Sequence, residues 1–135
     1  MKNIKELAPN DKNFVAIQNV IKIRNWVKNN VPENIIDELD SNGCNGTFDV
    51  NGYHYRWHIS KALGIRMTVG CSRLVSYKDP SRGSGCGEYP FIDDEQYYYN
   101  YDAAHYGVFV DRWPSIKQTI LEVYNRVKAR YEFEP

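Results

Sequence analysis

The chain has 135 residues, close to the commonest domain size and long enough to bury about two-thirds of its unfolded surface, so one domain over 1–135 is expected. Seventeen Lys plus Arg against seventeen Asp plus Glu give zero formal charge, which argues against general nucleic-acid binding, where a basic excess is usual, and equally against an acidic mimic. The opening Met1-Lys2-Asn3-Ile4-Lys5-Glu6-Leu7 has no apolar leader core, and no run approaches the ~20 apolar residues that cross a bilayer, so a cytoplasmic location without membrane contact is expected.

In chain order, Phe14, Ile17, Val20, Ile21 and Val27 fall on one face of an amphipathic helix over 11–29, with Asn10 or Asp11 as its N-cap. Pro32 suits the start of a short second helix carrying Ile35, Ile36 and Leu39, which Ser41-Asn42-Gly43 ends. Asn51-Gly52 lies between Thr47–Val50 and Tyr53–His58. Such a turn is the strongest short-range hairpin signal, because both central positions tolerate positive φ. A two-residue loop sets Val50 opposite Tyr53, Asp49 opposite His54, Phe48 opposite Tyr55 and Thr47 opposite Arg56. A second turn near Lys61–Gly64 leads into Ile65–Cys71, and Ser60 opposite Gly64 would place His58 against Arg66 and Arg56 against Thr68.

Both registers then sort the side chains. Phe48, Val50, Tyr53, Tyr55, Trp57, Ile59, Ile65, Met67, Val69 and Cys71 share one face; Asp49, His54, Arg56, His58, Arg66 and Thr68 share the other. A slip of one residue would mix the two sets, so the pattern supports the register. Periodicity disappears from Lys78 to about Gln96, a length that in a compact domain is usually functional or disordered. Tyr97–Val110 reads as one or two further strands, broken near Asp102-Ala103. Pro114 reads as the first turn of a last helix to about Arg130, with Ile116, Ile120, Tyr124, Val127 and Tyr131 on its apolar face. The expected fold class is therefore α+β: an antiparallel three-strand meander plus one or two later strands, with N- and C-terminal helices packed on one face.

Chemistry concentrates on the polar face. Arg66 opposite His58 places like charges together, which is unfavourable unless the imidazole is neutral or an anion lies between them. His54, Arg56, His58, Arg66 and Thr68 are accordingly the candidate ligand-binding residues, for a phosphate, carboxylate, nucleotide or acidic partner; a plain solvated face with Asp49 pairing His54 is the simpler reading. Catalysis would take His54, His58 and His105 as acid and base in phosphodiester hydrolysis or nuclease chemistry. His54 and His58, however, stand about 13 Å apart along a strand. Metal binding is not expected, because no His/Cys spacing resembles a zinc site, and no cofactor is implied. Gly83-Ser84-Gly85-Cys86-Gly87 lacks the Lys-Ser/Thr of a phosphate loop, and nothing near Cys86 would activate it. Cys44, Cys71 and Cys86 are odd in number and read as reduced thiols.

Eleven tyrosines include Tyr89, Tyr97, Tyr98, Tyr99, Tyr101 and Tyr106. This residue type is enriched at binding hot spots, so Tyr89, Tyr97, Tyr98, Tyr99 and Tyr101 are candidate partner-binding residues, against the alternative that they cover the core edge. Trp26, Trp57 and Trp113 read as packing anchors. The residues favour a small non-catalytic binding protein holding a macromolecular partner or a small anionic ligand. An inhibitor, an immunity-type protein or a phage accessory protein has this character, and the abundance of Asn, Lys and Ile suits an AT-rich bacterial or phage genome. The alternative is a small phosphodiester hydrolase or nuclease using the His/Arg face. Homo-oligomerisation is left open.

Overall fold

The Asn51-Gly52 turn takes the conformation its residue types favour, with φ of 53° and 84°, a mirror-image turn whose twist matches the flanking strands. It belongs to a computed structural model that describes residues 2–71, 89–90, 96–98 and 103–133; positions 2, 71, 89–90, 97–98, 103 and 131–133 are described by their backbone. The turn joins β2 (Asn45–Val50) to β3 (Tyr53–Ser60), and a second turn joins β3 to β4 (Gly64–Cys71). Every expected pair is present: Asp49 with His54, Thr47 with Arg56, Arg56 with Thr68, His58 with Arg66 and Ser60 with Gly64. A short strand, β5 (Tyr89–Pro90), adds to β4, giving the order β2-β3-β4-β5. Two residues of the stretch expected to be irregular thus extend the sheet. A separate two-residue pairing joins β1 (Lys2–Asn3) to β6 (Tyr97–Tyr98).

Helix α1 (Lys12–Asn30) begins where Asp11 caps it, the carboxylate accepting from the Asn13 N–H at 2.7 Å. The short α2 (Ile36–Ser41), preceded by a single 3₁₀ turn (Glu33–Ile35), ends at Gly43 with φ 96°. There the Cys44 N–H donates to the Leu39 carbonyl at 3.0 Å, the long-reach bond that closes a glycine-terminated helix.

Helix α3 (Ala103–Phe133) corrects the sequence reading. Residues 103–110 were expected as strand and are helical, and Pro114 lies well inside the helix instead of near its start. The β-branched and aromatic composition of Val108-Phe109-Val110 favours a strand, but burial follows helical spacing. Tyr106, Phe109, Ile116, Ile120, Val123 and Val127 are all buried, at intervals of three, four and seven, which one helical stripe satisfies. Tyr106, named above in the tyrosine cluster though not as a partner-binding candidate, is fully buried and serves packing.

The apolar sheet face meets the helices. Tyr55, Trp57, Ile59, Ile65, Met67 and Val69 join Ile17, Val20, Val27 and the α3 stripe in one core, with α1 lying on both α3 and β4. Trp26 meets Trp113 edge to face at 5.5 Å, and Arg126 Nη2 donates to the Asn42 carbonyl at 2.8 Å, tying α3 to the end of α2. Among the described residues no helix is long and apolar enough to cross a membrane.

Candidate functional site

Register alone arranges the polar face as a grid. One row runs Asn45–His58–Arg66, the next Thr47–Arg56–Thr68, and a third Asp49–His54–Gly70. Neighbouring strands lie about 4.8 Å apart and alternate residues on one strand about 6.6–7 Å apart, so the first two rows bring two guanidiniums and an imidazole within reach of one small molecule. They line an open groove of ≈ 480 Å³, together with Asp40, Gly46 and Trp57.

Of the ligand-binding residues expected from sequence, Arg56, His58, Arg66 and Thr68 all line this groove, whereas His54 does not. The Nδ1 of His54 lies 2.8 Å from the Asp49 carboxylate, a partner that can only accept, so Nδ1 carries the proton. The same reasoning applies to His58. Its Nδ1 donates to the Ile59 carbonyl at 3.0 Å, which leaves Nε2 to meet a ligand, as acceptor when neutral and donor when protonated.

Arg66 carries the clearest sign of an unmet interaction. Its Nε is buried and has no hydrogen-bond partner. A buried donor left unpaired costs about 1–3 kcal/mol, more when charged, and cross-strand His58 offers no acidic relief. Asn45, Thr47 and Asp40 were not among the expected site residues. Asn45 and Thr47 follow from carrying the β2–β3 alternation two residues further from the turn. Asp40 arrives from α2, and no local pattern points to it.

Gly46 shapes the floor. It pairs with Trp57 across β2 and β3, and a Cβ placed there would stand 2.7 Å from the indole Nε1. The missing side chain lets the indole lie against the strand on the core side of the sheet.

The other candidates separate from this face. His105 sits on α3, on the core side, where its Nδ1 is 2.8 Å from the Tyr55 hydroxyl and its ring meets Tyr53 edge-on at 4.6 Å. The sheet therefore stands between His105 and the His54/His58 row, and the three histidines do not form one centre. Cys44 is fully buried, and burial, with Asp40 nearby, pushes its thiol up to about 12, the opposite of an activated nucleophile. Among the described residues no group of His, Cys, Asp and Glu is placed to hold a metal ion. Tyr99, Tyr101, Cys86 and the glycine run 83–87 lie outside the described residues; Tyr89, Tyr97 and Tyr98 are described as backbone in β5 and β6.

Comparison with protein-family models, with curated proteins and with solved structures finds no match.

Proposed function

We propose that this chain is a non-catalytic binding protein whose polar sheet face holds a small anionic ligand, with phosphate as the group it grips. The observation that supports this most directly is Arg66: a guanidinium facing His58 across the strands, with a buried Nε lacking a partner, inside a groove that Arg56 also lines. Oxyanion acceptors would offset the like charges and receive the Arg fork bidentately, and a turn of the guanidinium toward them would bring Nε within reach. Thr68, two residues along the same strand, supplies a neutral donor beside it.

Weighing against phosphodiester hydrolysis is that neither of the chain's other two histidines stands beside His58. His54 is held by Asp49 about 13 Å along the strand, and His105 is on the core side. Turnover of a phosphodiester at substoichiometric protein would reinstate that reading.

Calorimetric titration with pyrophosphate tests the proposal. Saturable binding is expected, weakened about ten- to a hundredfold by Arg66→Ala, since a hydrogen bond to a charged group contributes about 1.5–3 kcal/mol. Adding Arg56→Ala should abolish it while the melting temperature stays nearly constant. Undiminished binding by the double variant, or no binding by the wild type, overturns the proposal.

A further inference from the structure

Resting on that reading, we infer that the groove's ligand is a phosphate ester of sugar-phosphate size whose far end carries hydroxyl groups, received by Asp40. A site built for a bare anion would not keep a carboxylate in its wall, because a fixed negative charge repels the ligand at short range. Asp40 nonetheless lines the same groove as Arg56, His58 and Arg66. Its position brings no evident benefit to the fold. It lies in the last turn of α2, where the helix dipole disfavours an acid, and its carboxylate meets the Asn45 side-chain amide at a long 3.4 Å.

Asn45 fixes where the acidic end lies. Its amide donates to the Asp40 carbonyl at 3.0 Å, and it occupies the β2 end of the row that Arg66 ends on β4. Two strand spacings separate those ends, about 10 Å. An ionised carboxylate only accepts hydrogen bonds, so what it selects is a donor held several ångströms from the phosphate. The hydroxyls of a pentose or hexose phosphate meet that requirement. The ≈ 480 Å³ groove is of a size to take such a molecule, and falls in the range of ordinary ligand sites. Between the two ends, the groove floor is the sheet backbone at Gly46, where no side chain stands in the way of the sugar.

The experiment compares methyl phosphate with ribose 5-phosphate by calorimetry, on the wild-type chain and on Asp40→Ala. The wild type should bind ribose 5-phosphate at least tenfold more tightly. Asp40→Ala should act in opposite directions, weakening ribose 5-phosphate while leaving methyl phosphate unchanged or several-fold tighter, because a repelling charge has gone. If Asp40→Ala lowers the melting temperature, Asp40→Asn serves instead; it keeps the side-chain volume and should still strengthen methyl phosphate. Equal affinity of the wild type for the two compounds, or a parallel loss of both in the variants, overturns the inference and leaves the anion site standing. Failure of the wild type to bind either compound overturns the anion site itself, and this inference with it.

Discussion

A Cβ on Gly46 would sit 2.7 Å from Trp57 Nε1, and the ring it meets is rigid and 5% exposed. Gly46→Ala should therefore destabilise by about 1–3 kcal/mol, the usual consequence of overpacking, despite the better strand propensity of alanine. Denaturant melts followed by tryptophan emission would check it, and a variant as stable as wild type would show that Trp57 has room to move. Cys44 makes a prediction in pH. Its thiol rises from an ordinary 9.0 to about 12 in the folded chain, so the folded state holds its proton more tightly than the unfolded state does. The stability linked to that proton is complete below about pH 9 and is lost as pH rises toward 12, at up to about 1.4 kcal/mol per unit. Cys44→Ala removes this dependence. The stability gap between wild type and variant should therefore narrow steadily from pH 9 to 11, other titrations cancelling in the difference. A constant gap would mean that the thiol ionises normally. At this scale Asn51-Gly52 was legible because a turn's requirement is local. Gly46 and Asp40 were not: the first answers to an indole on the next strand, the second reaches the groove from a helix.

Between the elements, the meander could be read from sequence because alternation, turn chemistry and register agree with one another, and a slipped register would have buried Arg56 or exposed Trp57. The last helix could not, because two local signals point the wrong way. Val108-Phe109-Val110 has strand composition, and Pro114 resembles a first-turn residue; the deciding signal is the long-range stripe from Tyr106 to Val127. Pro114 remains a cost within α3, since it has no N–H for the Val110 carbonyl and its ring crowds the preceding turn. Its side chain is exposed, so little packing is lost on replacement. Pro114→Ala should stabilise by about 2 kcal/mol: the ~3 kcal/mol helix penalty relieved, less the unfolded-state entropy that proline removes. Thermal melts would show a rise of several degrees. A fall would mean that α3 needs the proline's bend to seat Trp113 against Trp26.

Across the whole molecule, the two sides of one sheet have separate duties, and Arg66 is where they can be told apart. The helix-facing side holds the core, from Tyr55 to Val69. The other side gathers cations in a chain whose formal charge is zero, so the concentration of charge is local and its stability cost is borne by one small region. If the groove exists for a ligand, Arg66 should be a poor choice for the free fold: its Nε is buried without a partner and it faces a histidine. Arg66→Met keeps most of the stem's packing and removes both penalties. The free variant should therefore melt a few degrees higher than wild type, consistent with about 1 kcal/mol of relieved desolvation. Ligand should reverse the order. Pyrophosphate at a hundred times its Kd stabilises a protein that binds it by about 2.7 kcal/mol, and Arg66→Met should forgo most of that gain, leaving wild type the more stable of the two. The crossing of the two melting curves with pyrophosphate concentration is the signature, because a structural arginine has no reason to produce it. A variant less stable than wild type at zero ligand would place Arg66 among the groups that hold the sheet together, and the groove would lose its best argument for an anion.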